Sequence, residues 1–301
     1  MPEGALSADA PRIGFIGAGR QGKALAWSFA ARGLRVVAVA SATRASAESL
    51  AALIAGCAVA SPQEAVDACD LVFVTTPDGA IAASVGQAHW RPGVAVVHCS
   101  GVTEVAALDK AAREGAMTGG FHPMQTFGDP AAAVRSLAGC TITIEAQEPL
   151  NSTLVALAGR LQCGVNRLPP GMRGRYHAAA GYTSQFINAL FGEASKIWQS
   201  WGATEEDAVR ALLPMARGTL ASIESAGIAN GMPGPVSRGD VESVAKHVAA
   251  LSRLDPETLE LYRQLCERTI ALAIQRNAIV AETAVQFRDV LRRRCDGAAL
   301  R

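Results

Sequence analysis

The sequence predicts an α/β protein: a mostly parallel sheet flanked by helices over residues 11–168, followed by an all-α domain over residues 169–294. Three observations predict it. Short β-branched runs alternate with Ala-rich helical stretches from Arg12 to about Gly164. The first run passes straight into Gly17-Ala18-Gly19-Arg20-Gln21-Gly22 and then into an Ala/Leu helix. After Leu168-Pro169-Pro170-Gly171 the β-branched runs disappear and helical periodicity takes over.

The predicted strands are Ile13–Ile16, Arg35–Ala40, Leu71–Thr75, Val94–His98, the segment before Phe121, and Thr141–Ile144. Several are continuously apolar, the pattern of strands covered by helices on both faces. In the second half, breakers at Trp201-Gly202, Gly227 to Gly234 and Asp255-Pro256 divide the periodic stretch into about four helices.

A chain of 301 residues with 50% hydrophobic residues can bury two ordinary cores. The formal net charge of +1 gives no field that would collect nucleic acid or an anionic membrane, so small molecules or a second subunit are the expected partners. Seven cysteines, Cys57, Cys69, Cys99, Cys140, Cys163, Cys266 and Cys295, form no Cys-x-x-Cys pair and no zinc spacing; they read as reduced thiols in the cytoplasm. The start, MPEGALSADAPR, lacks a basic region and an apolar core, and no apolar run approaches the roughly 20 residues of a membrane span.

The glycine turn carries the first chemistry. A Gly-x-Gly-x-x-Gly that follows a strand and opens a helix is a Rossmann dinucleotide-binding elbow: Gly17 permits the tight turn, Gly19 lets a pyrophosphate approach the backbone, and Gly22 allows close helix packing. The second strand ends Val39-Ala40-Ser41-Ala42-Thr43-Arg44, where an NAD enzyme would carry Asp or Glu for the ribose hydroxyls. Ser41 and Arg44 suit a 2′-phosphate instead, with Arg20 reinforcing NADP over NAD; the alternative for Arg44 is a solvated helix-start residue. Two later strand ends, Thr75-Thr76-Pro77-Asp78 and His98-Cys99-Ser100-Gly101, should flank the nicotinamide ribose. Helix starting and capping account for Asp78 and Ser100 equally well, but not for His98.

With these strand ends in place the chain resembles a bacterial family that joins a Rossmann-like domain to a C-terminal helical domain of unknown function, the DUF2520 type. The resemblance rests on Gly17 to Gly22, Thr76-Pro77-Asp78, His98 to Gly101, Phe121-His122-Pro123-Met124-Gln125-Thr126-Phe127, Tyr176-His177-Ala178-Ala179-Ala180 and Gly234-Pro235-Val236-Ser237-Arg238-Gly239-Asp240. Relatives of that family include ketopantoate reductases, pyrroline-5-carboxylate reductases, β-hydroxyacid dehydrogenases and deazaflavin-linked NADP reductases. The resemblance implies a 6-phosphogluconate-dehydrogenase-like helical domain, NADP binding, hydride transfer to C=O or C=N of a small carboxylate, and a homodimer packed through the helical domains.

Candidate substrate residues fall in three places. His122 follows a predicted strand and should project at the cleft between domains, as a proton donor, with Gln125 orienting a carbonyl or carboxylate; the alternative is a structural His at a Pro turn. A helix beginning near Arg173 would align His177, Gly181, Ser184 and Asn188 on one stripe, opposite an apolar face of Phe186, Ile187, Leu190 and Ile197. The ketopantoate and β-hydroxyacid enzymes carry a Lys on this helix; here the stripe has none, and Lys196 lies too far along. The proton would then come from His177, His122, Ser184 through a water, or another donor. Finally, Ser237 and Asp240 have N-cap spacing, and Arg238 suits a carboxylate. The missing Lys also leaves open a protein that binds NADP without turnover, or one that exchanges hydride with a deazaflavin.

Overall fold

The computed structural model describes residues 11–129, 134, 135 and 137–293; the expected tail after Arg294, and Cys295 within it, lie outside these. The chain divides after Ser184 into two compact units, each described by itself.

The first unit is built on one eight-stranded sheet in the order β3-β2-β1-β4-β5-β6-β7-β8. The strands are β1 (Ile13–Ile16), β2 (Val36–Ala40), β3 (Ala58–Val59), β4 (Leu71–Val74), β5 (Ala95–His98), β6 (Met117–Pro123), β7 (Thr141–Ala146) and β8 (Gly164–Arg167). All neighbours pair parallel except β6 with β7. The helices are α1 (Arg20–Ala31), α2 (Arg44–Ala51), α3 (Pro62–Ala68), α4 (Ile81–Gly86), α5 (Asp109–Arg113), α6 (Leu150–Arg160) and α7 (Arg173–Tyr182).

Every residue of β1, β4 and β5 is buried, as their unbroken apolar runs require when helices cover both faces. Ile13 and Phe15 enter one core, with Phe29, Phe73, Phe121 and Leu154; Ile16 enters the other, with Val66, Val85 and Leu108. Phe15 stacks on Phe73 at 5.3 Å and Phe121 meets Phe73 edge-on at 5.4 Å, contacts that add about 0.5–1.5 kcal/mol each beyond their buried area. Two strands escape prediction. β3 has two residues and β8 is an exposed edge, so neither carries an apolar run.

Because β1 lies between β2 and β4, the sheet reverses its winding there, and the strand ends at that point open a crevice for a ligand.

The second unit contains α8 (Gln185–Gln199), α9 (Glu205–Asn230), α10 (Val241–Leu251), α11 (Pro256–Gln275) and α12 (Ala281–Arg292), around a core of Val244, Leu259, Ile270, Phe287 and Leu291. The helical stretch is cut more often than the Gly and Pro breakers predict. α7 ends at Tyr182 because the Thr183 and Ser184 hydroxyls both bond back to the Ala180 carbonyl, at 3.3 and 2.8 Å, competing with the helix ladder. α11 ends where Asn277 adopts φ 57 and the amides of Asn277 and Ala278 close on the Ile274 and Ala273 carbonyls, a left-handed cap that Asn accepts nearly as well as Gly. Residues 169–184 count with the sheet, held there by the buried Arg173 of α7.

Candidate active site

The elbow after β1 is shaped by its glycines. Gly17 has φ +114, and a Cβ there would lie 2.7 Å from the backbone of Thr75 and Thr76; only glycine fits. The Gly17 amide donates to Ala40 O at 2.8 Å, and the Thr75 hydroxyl donates to Gly17 O at 2.7 Å. Thr75 thus braces the turn from beneath, and Gly22 packs against the same Gly17 carbonyl and Thr75 hydroxyl. Ala18 is buried. Above the turn the situation reverses: nothing lies within 4 Å of a Cβ at Gly19. Gly19 caps α1 without a side-chain bond, and the first turn holds no acidic residue, so its amides face open space, positively polarised. That combination fits a pyrophosphate.

Gln21, within the motif, donates to Cys99 O at 3.0 Å and ties the elbow to the end of β5. Arg20 is exposed, with a long 3.5 Å contact to Gly128 O. At the end of β2, Ser41 and Arg44 line a pocket of about 380 Å³ with Ala42, Ser61 and Glu64. The Glu64 carboxylate accepts from the Ser61 amide at 2.7 Å and caps α3, and this bond, with the Ser61 hydroxyl, holds its pKa below the usual carboxylate range. Arg44 opens α2 and pairs with Glu48 one turn on, at 2.8 Å, with its side chain 82% exposed. Such a pair is worth a few tenths of a kcal/mol, far less than a bidentate contact to phosphate.

The remaining strand ends converge on two imidazoles. Thr76 accepts from Ser84 at 3.4 Å, and Pro77 precedes the short turn Asp78–Ala80. The Ser100 hydroxyl accepts the amides of Val102 and Thr103, a capping role. Gly101 lies directly under the two rings: a Cβ there would come within 2.7 Å of His177 Cδ2 and 3.0 Å of His122 Nε2. The rings stand 6.5 Å apart, and His122, Met124, Gln125, Thr126, His177 and Ser184 line one pocket of about 250 Å³. Sequence reasoning thus names most of this wall.

It misses the supporting shell. His122 Nδ1 is 2.6 Å from the Tyr176 hydroxyl, in an edge-on contact. Arg173, fully buried, donates from Nε to Glu145 at 2.6 Å and from Nη1 to Ser100 O at 2.8 Å. It lies against Gly120, where any side chain would overlap it. Tyr176 and Arg173 are three residues apart on α7, yet their partners come from strands that no spacing rule links to them.

Burial, then the positive charges of His177 and Arg173, push the His122 pKa down to about 4, with Asp78 opposing. Burial, Arg173 and His122 push fully buried His98 down to about 3. Both rings are therefore neutral at pH 7. An unfolded imidazole titrates near 6.5, so below pH 6.5 the unfolded chain binds protons that the folded unit refuses, until the folded values near 4 and 3 are reached. Stability should be flat above pH 6.5 and fall with decreasing pH through that window, by up to about 1.4 kcal/mol per pH unit for each ring. Denaturant melts at pH 6.5 and 5 check this: His98→Gln should remove roughly half of the difference, and an unchanged difference would show that His98 is not the responsible group.

In the second unit, Asp240 rather than Ser237 caps α10, accepting from the amide and hydroxyl of Ser243 at 3.0 and 2.6 Å. Ser237 instead donates to Gly234 O at 2.8 Å: it sits within the short turn Val236–Arg238, two residues before left-handed Gly239. Arg238 is exposed. Asn188 lies in α8, so the break at Thr183 and Ser184 interrupts the expected stripe before reaching it. Lys196 pairs with Glu193 at 2.7 Å.

The fold and the elbow are those of a Rossmann-type dinucleotide-binding unit, and residues 12–100 match the family described as NADP oxidoreductase, coenzyme F420-dependent. Residues 140–269 match a second family, described as a domain of unknown function, DUF2520. The two matched segments thus lie in order along the chain, an NADP-oxidoreductase-like segment first and a DUF2520-like segment after it. Similar solved structures include a protein from Thermotoga maritima, 20% identical over 88% of this chain and 99% of that one, with TM-score 0.72. A reductive aminase from Aspergillus terreus, in complex with NADPH and ethyl levulinate, is 18% identical over 92% and 98% (TM-score 0.61). A pyrroline carboxylate reductase from Plasmodium falciparum, with NADP bound, is 12% identical over 89% and 100% (TM-score 0.57). At these identities the likeness is one of fold. No curated protein matches the chain. Among the described residues no helix is long and apolar enough to cross a membrane.

Proposed function

We propose that this cytoplasmic protein uses NADPH to reduce a C=O or C=N bond in a small substrate, a ketopantoate-like or pyrroline-carboxylate-like carboxylate being the best candidate. The observation that carries the reading is the His122 ring, which packs over Gly101 and, with His177, lines a pocket of about 250 Å³. A neutral imidazole there can hold a substrate oxygen or nitrogen by hydrogen bond and stabilise the negative charge that develops on it. The pocket's size suits a small molecule. Bound NADPH supplies the hydride; the elbow amides hold its pyrophosphate, and Ser41 and Arg44 take the 2′-phosphate.

NADPH consumption with 2-keto acids and cyclic imines tests the reading. Turnover that His122→Ala abolishes supports it. Saturable NADPH binding with no turnover across the panel favours a non-catalytic NADP-binding protein. The description of the N-terminal family favours a second reading, hydride exchange between NADP and a deazaflavin; turnover only when a deazaflavin is added would establish that one instead.

Replacing Arg44 by Asp should lower the NADPH-over-NADH preference by about 10-fold or more, since one charge-assisted bond to phosphate is worth about 1.5–3 kcal/mol. An unchanged ratio of dissociation constants would remove Arg44 from the cofactor site.

We further propose that the second unit pairs with a copy of itself. Met215, Leu220, Ile223 and Ile228 of α9 and Phe186 and Leu190 of α8 are exposed, more apolar side chain than a lone helical domain ordinarily shows to water. Sedimentation as a monomer at micromolar concentration would refute the pairing.

A further inference from the structure

We propose that Cys140 and Cys163, side by side where β7 and β8 begin, form a modification site: a dithiol that a hydroperoxide closes reversibly to a disulfide. The inference stands apart from the reduction proposed above, since neither cysteine lines the imidazole pocket.

The pair is assembled by strand register. Along the chain the two thiols are 23 positions apart, with no redox spacing to link them. Thr141 of β7 lies opposite Gly164 of β8, so the residues just before them, Cys140 and Cys163, arrive next to each other. Backbone bonds bracket them: the Gly139 amide donates to Gln162 O at 2.9 Å, and the Gly164 amide to Cys140 O at 2.9 Å. A third anchor is shared. The Leu137 carbonyl accepts from the Cys140 amide at 3.0 Å and from the Cys163 thiol at 3.1 Å. The two sulfurs stand 3.7 Å apart. Neighbouring strands hold their Cα atoms about 4.8 Å apart, inside the range of about 4.4–6.8 Å that disulfides span. Drawing the sulfurs to a bond of about 2 Å therefore asks for side-chain rotation, with neither strand moving.

Environment separates this pair from the other thiols. Cys69, Cys99 and Cys266 are buried, whereas Cys140 and Cys163 are half-exposed and within reach of an oxidant in solution. Cys57 is half-exposed too, but its sulfur lies 4.0 Å from the Ala58 carbonyl, and burial pushes its thiol up to about 11. Among the described residues only Cys140 and Cys163 combine access with a second sulfur within 4 Å.

The step balances. One thiolate attacks an oxygen of hydrogen peroxide, the O–O bond breaks, and the sulfur becomes a sulfenic acid while the departing hydroxide takes a proton to form water. The second thiol, already 3.7 Å away, attacks that sulfur. The S–S bond forms, the S–O bond breaks, and a second water leaves with the proton of the second thiol. The two thiols have given up two electrons and two protons, and the peroxide has taken both. Because the partner is in place, the sulfenic acid is captured before more peroxide carries it to the irreversible sulfinic acid. A dithiol reductant restores both thiols by two exchanges.

The test treats the folded full chain with hydrogen peroxide, alkylates the remaining thiols with N-ethylmaleimide under denaturing conditions, and maps tryptic peptides by mass spectrometry. Cleavage after Arg135, Arg160 and Arg167 puts Cys140 in peptide 136–160 and Cys163 in peptide 161–167, so a bridge joins two separate peptides. The joined mass is the expected main product, with Cys69, Cys99 and Cys266 alkylated and the separate peptides returned by dithiothreitol. Cys57→Ser should form the same bridge to the same extent. Full alkylation of Cys140 and Cys163 after peroxide overturns the proposal. So does a sulfinic acid on either, or a bridge between two copies of the chain, seen as a dimer on a non-reducing gel.

Discussion

Gly19→Val should abolish NADPH binding while leaving the thermal stability of the first unit unchanged, and Gly17→Val should destroy both. The two glycines are two residues apart in one motif, yet they face opposite ways. A Cβ at Gly19 meets nothing within 4 Å, so its only casualty is whatever approaches from outside. Excluding a pyrophosphate from the first-turn amides of α1 removes several charge-assisted hydrogen bonds of about 1.5–3 kcal/mol each, so the dissociation constant should rise about 100-fold or more. At Gly17 the same change forces φ +114 on a β-branched residue and drives its Cβ to 2.7 Å from the Thr75 and Thr76 backbone. Backbone strain of about 1–3 kcal/mol adds to that clash. Tryptophan-fluorescence titration with NADPH and a melting curve separate the two effects. Wild-type affinity in a folded Gly19→Val protein would show that no phosphate sits over this turn.

Arg173→Met should be the most damaging single change to the sheet unit away from its cores. It removes one member of a buried ion pair and leaves Glu145, 11% exposed, as an uncompensated charge, a loss of about 3–5 kcal/mol. In a unit of this size that corresponds to a fall of roughly 10 °C in Tm. The double variant Arg173→Met, Glu145→Gln should recover much of the loss, because the penalty lies in the orphaned charge more than in the missing attraction. A single variant as unstable as the double would refute the pairing argument. The change also has a chemical consequence. The Arg173 charge helps to hold the His122 pKa near 4, so Arg173→Met should raise it, measurable by histidine titration in the folded variant.

Several parts of this architecture were legible because each is written in one stretch of chain. β1, β4 and β5 announce themselves as apolar runs, and the elbow is six consecutive residues whose glycines each answer a local steric demand. The basic, acid-free end of β2 is likewise local. The break at Thr183 and Ser184 was not legible, since hydroxyl residues within a helix announce no stop until their bonds to Ala180 are seen. The interrupted stripe shows how a spacing argument fails when one turn unwinds: His177 and Ser184 line the pocket, while Asn188 belongs to the next helix.

By itself the sequence predicted a nucleotide-binding turn after the first strand, NADP as its nucleotide, and a helical domain that follows a mostly parallel sheet. Each of these depends on residues adjacent in the chain, where propensity and sterics act directly. Only the tertiary structure decided what surrounds His122. Asn166 comes from β8, Thr143 and Glu145 from β7, and Tyr176 and Arg173 from α7, and their meeting is set by strand register and by a buried ion pair. A hydrogen bond constrains distance in space, and distance in space is what a linear pattern does not encode.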